Sequence, residues 1–275
     1  MIIGISHLFV VTFELSEYLI PFTVGAMVLT VLFDGRIAMN ASVAMAVLVA
    51  FLIGGKLDFA VIALFTSMAA IYAVRQLRTR AQLFTAILFI VLSAALILIA
   101  IGIIKRLHWT DIGNNILYIT ISGILAPFIT YGISTLFEVI FGVTSDLTLL
   151  ELTDFNHPLL KKLSQEANGT FNHCVVVGNL AESCANAVGA NPLLARVGAY
   201  YHDIGKLTRP EYFVENQFGG DNPHDNLAPS LSSKIIVGHV KDGMKLAKEY
   251  RLPPAVANFI HMHHGTSRID YFYTK

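Results

Sequence analysis

Five long apolar runs, at about 19–33, 37–53, 58–74, 83–104 and 116–141, fill the first half of the chain and set the strongest limit on its fold. Each approaches or exceeds the roughly 17–25 residues that cross a bilayer as a helix. Hydrocarbon offers no water to backbone polar groups, and a helix satisfies them internally. The reading is therefore five membrane-spanning helices. Residues 1–13 form a sixth apolar run, too short to cross and read as the tail of a further span. A signal peptide is the competing explanation, but the run has no basic leading region and no small-residue cleavage site.

Charge divides the chain in the same way. Hydrophobic residues make up 55% of it and charged residues 14%, against roughly 25% charged in soluble proteins. Positions 1–147 hold 14 of the charges and positions 148–275 hold 24. One part is adapted to lipid and the other to water. Arg36, Arg75, Arg78 and Arg80 lie in loops of one parity, whereas Lys56, Lys105 and Arg106 occupy the opposite loops. That bias places the arginine-rich loops, and everything after Phe141, in the cytoplasm of a multi-pass protein of the cell membrane. Transport, suggested by span count alone, calls for ionisable residues in mid-membrane. Glu14, Glu17, Asp34, Asp58, Asp111 and Glu138 fall near span ends instead.

The second part reads as helical. Residues 170–188 carry helical apolar spacing, and Asn191-Pro192 is a cap followed by proline, opening a helix that ends near His202-Asp203. A third helix covers 230–250, and Pro253-Pro254 starts a fourth that ends at His263-His264, before Gly265. The expected fold class is all-α: polytopic transmembrane helices over 1–141, a linker at 142–157 and an all-helical domain over 158–275. The linker is apolar enough for a helix that packs on the domain after it. Cys174 and Cys184, ten residues apart on one expected helix, point in different directions, so no disulfide is expected.

Of the 10 histidines, 8 follow residue 150. His173 lies 29 residues before His202-Asp203, His239 lies 36 beyond Asp203, and His263-His264 follows after another 24. Any one of these alone reads best as a buried histidine with a hydrogen-bond partner. As a set they suit a dinuclear centre, because an imidazole offers one lone pair and a carboxylate can bridge two ions. His157, His224 and His261 have no such spacing. Cys174 beside His173 is a poor ligand for the harder ions of a hydrolytic site. Imidazole-rich coordination suits Fe, Mn, Co or Zn alike.

The pattern His, His-Asp, His, His-His, with His202-Asp203-Ile204-Gly205-Lys206, resembles the HD phosphohydrolase superfamily. The text from Asn191 to Leu207, then Arg209-Pro-Glu-Tyr-Phe-Val-Glu-Asn-Gln, Asn222-Pro-His-Asp and His263-His-Gly-Thr, resembles the seven-transmembrane receptors with an intracellular HD hydrolase domain. That family is known as bacterial phosphodiesterases of cyclic di-AMP, so the resemblance implies hydrolysis of cyclic di-AMP to linear pApA. The Gly-Tyr-Pro signature of HD enzymes specific for cyclic di-GMP is absent from the sequence.

The resemblance implies His173, His202, Asp203, His239, His263 and His264 as ligands of two divalent metal ions, iron or manganese. It also implies a catalytic, substrate-facing role for Lys206, one turn beyond Asp203, where a helix-dipole role is the plainer alternative. Asn216 and Gln217, in the loop after Arg209, are expected to meet substrate. The partners implied are a cyclic dinucleotide and the lipid bilayer, with no nucleic acid polymer and with room for a homodimer. The family closes its metal site with a further aspartate beyond the His-His-Gly-Thr segment, and Asp270 does not sit in the matching context. It also carries a large extracellular domain ahead of the last spans. The chain is thus expected to be a fragment or a shortened product, and a catalytically inactive receptor or nucleotide-binding module stays open beside the enzyme.

Overall fold

The computed structural model describes residues 2–75, 81–217, 219, 221–267 and 269–271. The fold among them is helical without strands, in two compact units, Met1–Leu147 and Thr148–Lys275. Arg78 and Arg80, used above for orientation, lie outside the described residues.

The first unit starts with α1 (Ile2–His7), continued by a π-helical turn, Leu8–Thr12. There follow α2 (Phe22–Leu32), α3 (Gly35–Leu52), α4 (Leu57–Val74), α5 (Ala81–Lys105) and α6 (Trp109–Phe141). The last four of these are long and apolar enough to cross a membrane. The outward surface of α5 is built from Leu88, Leu92, Leu96, Ile103 and Ile104, all exposed, a density of apolar side chains suited to lipid. The buried face of α3 is small: Ala38, Ser42 and Ala46 recur every fourth residue and are fully buried. Buried hydroxyls turn back onto their own helix, as Ser42 does to the Ala38 carbonyl at 2.7 Å and Thr66 to Ile62 at 2.8 Å.

The run at 19–33 forms a shorter helix than a full span. With 11 residues, α2 reaches about 16 Å at 1.5 Å per residue, against a hydrocarbon core of about 30 Å. Pro21 sets its start, and Asp34 begins a new helix by accepting from Arg36 N at 2.7 Å and Ile37 N at 2.8 Å. Almost every residue of α2 is buried, so it is an apolar helix inside its bundle. Glu17 pairs with Lys56 at 2.7 Å, and Asp58 pairs with Lys105, so these acids meet cations at helix ends.

The second unit takes up the end of α7 (Asp146–Leu152), then α8 (Pro158–Glu166), α9 (Asn168–Ala187), α10 (Pro192–Tyr201), α11 (Pro229–Glu249) and α12 (Pro254–Met262). Asn191 caps α10 by accepting from Leu194 N at 2.9 Å, with proline at the first position. The core gathers Leu149 of α7, Leu159, Leu160 and Leu163 of α8, Val197 and Tyr201 of α10, and Val256 and Ile260 of α12. Tyr201 donates its phenol hydrogen to the Leu152 carbonyl at 3.1 Å.

A 3-10 helix, Ile204–Thr208, follows α10 and presses against α11 at Gly205 and Gly243. A Cβ at Gly205 would lie 1.7 Å from the His239 carbonyl oxygen, so only glycine permits this approach. At Gly238, one residue before His239 on the same helix, a Cβ would meet nothing within 4 Å. Gly205→Ala is therefore expected to cost at least about 1–3 kcal/mol through forced backbone displacement. Hydrogen–deuterium exchange should rise across α10 and α11 in that variant and stay near wild type in Gly238→Ala. Equal protection in both would show that the close approach is dispensable.

Candidate metal centre

Four helices deliver the donors, each near an end or a close crossing. His173 lies in the second turn of α9; His202 is the last-turn cap of α10 and Asp203 opens the 3-10 helix; His239 is buried mid-way along α11. His263 closes α12, and Gly265 at φ +57° ends the turn after His264, the left-handed geometry that glycine tolerates.

The six residues meet around Asp203. Its Oδ2 lies 3.2 Å from His202 Nε2 and 3.9 Å from His173 Nε2. Its Oδ1 lies 3.3 Å from His239 Nε2 and 3.5 Å from His263 Nε2. His264 Nε2 is 3.2 Å from His239 Nε2. Two donor groups result, His173 with His202 and Asp203, and His239 with His263 and His264, each with its ligand atoms within 4.8 Å of one another. One oxygen of Asp203 faces each group.

The far side of the rings settles which nitrogen points inward. His202 Nδ1 donates to the Ala199 carbonyl at 2.7 Å, His263 Nδ1 to Ile260 at 3.0 Å, and His239 Nδ1 to Ile236. With Nδ1 bonded outward to a carbonyl, each ring turns Nε2 toward the centre, the orientation found in metal-bound imidazoles. The Nε2 atoms of His239 and His263 lie 3.3 Å apart. Lone pairs so close to each other and to a buried carboxylate need a positive charge among them. Asp203 Oδ1 has no hydrogen-bond donor among the described residues although it is buried, so its unmet valence faces the same spot. Nitrogen and carboxylate donors around such an orphaned atom fit divalent metal ions.

Proton and metal compete for these lone pairs. Burial works against charge on His202, but its hydrogen bonds with Asp203 and Cys174 push the ring up to about 10. Burial raises the Asp203 carboxyl, and the contacts with His202, His239 and His263 outweigh it and hold the group well below the usual carboxylate range. His173 and His264 are shifted down, first by burial and then by neighbouring imidazoles, which leaves their lone pairs available near neutral pH. Cys174 is buried with its sulfur 3.8 Å from His202 Nδ1, the side away from the donor cluster, and both cysteines are free thiols. His157 caps α8 and His261 is an exposed residue of α12, both outside the cluster; His224 bonds the Tyr212 carbonyl at 2.9 Å.

Lys206 points into the site. Its ammonium lies 2.9 Å from Asp203 Oδ2 and 2.7 Å from Glu215 Oε1. Glu215 in turn accepts from Thr170 Oγ at 3.0 Å. Nothing in the sequence spacing marks Glu215 or Thr170, since the contacts join positions 45 and 9 residues apart. The two residues expected to meet substrate have other tasks here. Asn216 is buried, accepts from Thr170 N at 3.0 Å, and donates to Thr170 Oγ at 2.9 Å and to the Pro210 carbonyl at 3.4 Å. Gln217 donates to the Glu211 carbonyl at 3.0 Å. Their amides fasten the 209–217 loop to itself and to the first turn of α9, so they position Glu215 rather than face the cluster.

Burial pushes the Glu215 carboxyl up, and the hydrogen bond from Lys206 overrides it and holds the group below its ordinary value. A depressed carboxyl stabilises the fold above its unfolded pKa and loses that contribution as pH falls through the folded one. Glu215→Gln should therefore melt below wild type at neutral pH, with the gap closing in acid. A gap independent of pH would disconnect Glu215 from Lys206.

Residues 1–145 match the family described as 7TM receptor with intracellular HD hydrolase, and residues 170–272 match the HD domain. The cyclic-di-AMP phosphodiesterase PgpH of Bacillus subtilis is 38% identical over 267 residues, 94% of this chain and 37% of that protein. The protein of the same name from Listeria monocytogenes is 49% identical over 158 residues, 58% of this chain and 22% of that one. A crystal structure of the L. monocytogenes PgpH HD domain in complex with cyclic-di-AMP is 53% identical, covering 44% of this chain and 56% of that one at a TM-score of 0.43. The chain thus spans little more than a third of the B. subtilis relative's length.

Proposed function

The chain belongs to the family of seven-transmembrane receptors with an intracellular HD hydrolase domain, and from that premise we propose that it is a membrane-anchored, metal-dependent phosphodiesterase acting on a cyclic dinucleotide. Cyclic di-AMP, cleaved to linear pApA, is the substrate that the relatives' names favour. The observation that carries the reading is Asp203, which turns one carboxylate oxygen to each of two histidine groups. That arrangement supports two divalent ions, with iron or manganese proposed on the family's precedent.

His173, His202 and Asp203 would hold one ion, and His239, His263 and His264, with Asp203, the other. Such a pair of ions supplies Lewis-acid charge to a phosphodiester and lowers the pKa of water at the site. The backbone carbonyls at 199, 236 and 260 keep three imidazoles in the tautomer and angle that ligation needs. Glu215 holds the Lys206 ammonium beside Asp203, where it donates to charge developing on the phosphoryl oxygens. The long apolar helices support a multi-pass membrane protein with lipid as its structural partner. The arginine bias of alternate loops supports a cytoplasmic position for the second unit.

The test is metal analysis and cyclic di-AMP turnover on the whole chain in lipid nanodiscs supplied with Mn2+ or Fe2+. Two equivalents of metal and release of pApA are expected. Asp203→Ala should retain at most one equivalent and lose more than about a hundredfold in turnover, beyond the 10- to 100-fold effects of outer-shell changes. Absence of bound metal in the parent chain would sink the metalloenzyme reading. Tight nucleotide binding without turnover in a fully metallated chain would leave a receptor in its place.

A further inference from the structure

One side of α11 carries charge of a single sign. Lys234, Lys241, Lys245 and Lys248 are all exposed on this helix. At 3.6 residues per turn and 1.5 Å per residue, their spacing gathers them into a stripe about 60° wide and about 21 Å long. Val237, also exposed, lies along its edge. His239 of the donor cluster is buried on the far side of the same helix.

The stripe is a segregation of charge and not an excess of it. Of the 24 charged residues in positions 148–275, 12 are basic and 12 acidic. The acids of α11 are Asp242 and Glu249, beside the stripe, and Asp242 holds Lys245 at 2.8 Å. Among the described residues Lys234, Lys241 and Lys248 have no ion-pair partner. Like charges three and four residues apart on a helix repel, and anions laid along them remove that cost. Cations spread over such a length do not converge on one small anion; they match an extended anionic surface. Lipid is the extended surface within reach. The helix α6, long and apolar enough to cross a membrane, ends at Phe141, and α7 starts at Asp146. The four residues between them extend at most about 13 Å, so the second unit is kept at high local concentration beside a bilayer.

Resting on the membrane anchoring and cytoplasmic position proposed above, we infer that the lysine face of α11 is a docking surface for the anionic headgroups of the chain's own bilayer. The cytoplasmic leaflet is negatively charged and attracts basic segments held close to it. Each lysine at such a surface strengthens attachment roughly fivefold, and salt weakens it. The contact is electrostatic, because the apolar side of α11, with Met244, Leu246 and Ala247, is already packed in the core of the unit. Since the lysines and His239 lie on opposite sides of the helix, lipid engages the one without displacing the other. Docking thus gives the donor cluster a fixed orientation to the membrane.

The experiment puts a fluorophore at Val237→Cys, in a Cys184→Ser background where Cys174 is buried, on the whole chain in nanodiscs whose headgroups carry a nitroxide quencher. Discs of phosphatidylcholine are compared with discs that also contain phosphatidylglycerol. Headgroup quenching is expected with phosphatidylglycerol only, and it should disappear at high salt. Lys234→Gln/Lys241→Gln/Lys245→Gln/Lys248→Gln should lower the docked fraction at least about tenfold. Lys234→Arg/Lys241→Arg/Lys245→Arg/Lys248→Arg, which keeps the charge, should retain it. The substituted lysines are exposed, and matched thermal melting confirms folding of the variants. Equal quenching in the two lipids, quenching in neither, or a glutamine variant that behaves like the parent overturns the docking surface. A label shielded from soluble acrylamide yet untouched by the headgroup quencher assigns the face to a protein, a second copy of this chain included, and overturns it as well. Failure of the chain to enter nanodiscs overturns the membrane reading and the docking surface with it. Docking is read without turnover, so loss of the hydrolase reading alone leaves this result standing.

Discussion

A carboxylate as deeply placed as that of Asp203, with 4% of its side chain exposed, is tolerable only when positive charge meets both of its oxygens. The second unit is arranged around that requirement. The end of α10 brings His202, α9 brings His173, α11 brings His239, and the glycine-ended turn after α12 brings His263 and His264. The close approach at Gly205 is part of the same demand, because it lets the segment carrying Asp203 lie on the backbone of His239 itself. A bulkier residue there would move the Asp203 carboxylate away from one histidine group.

The polar network behind the donors is as specific as the donors. Asp203, Lys206, Glu215 and Thr170 form a chain of contacts of 2.9, 2.7 and 3.0 Å from the centre of the unit to the start of α9. Asn216 locks the loop that supplies Glu215, using both ends of its amide. Alternating charge along this chain offsets the cost of burying each member, and removing one would leave its neighbour buried without a counterpart. Lys206 is therefore held by two acids at once, which fixes a long, flexible side chain at the edge of the donor cluster.

The first unit obeys a different solvent. Large apolar residues cover its outer surface as well as filling its interior, where they are joined by small and hydroxyl-bearing residues such as Ala38, Ser42 and Thr66, a pattern suited to lipid rather than water. Among the described residues, charged side chains of this unit lie at or near helix ends, where Glu17 meets Lys56 and Asp58 meets Lys105. The short, buried α2 lies among helices of crossing length as a packing element of that unit.

Much of this was legible in the order of residues. Apolar runs, capping pairs such as Asn191-Pro192 and the breaks at Pro253-Pro254 and Gly265 are local signals, so the helical class and most helix limits could be read from the chain alone. The reach of α2 was not, because Pro21 and the Asp34 cap shorten a run whose composition is apolar throughout. Nor was the division of labour after Arg209. Asn216 and Gln217 have the chemistry of ligand contacts and are spent on the loop, whereas Glu215, unremarkable in sequence, grips Lys206. The chain order determined which imidazole and carboxylate groups the second unit has to offer. Only the tertiary structure decided which oxygen of Asp203 faces which histidines and which polar side chains are already committed, since those contacts join residues tens of positions apart and no local pattern encodes them.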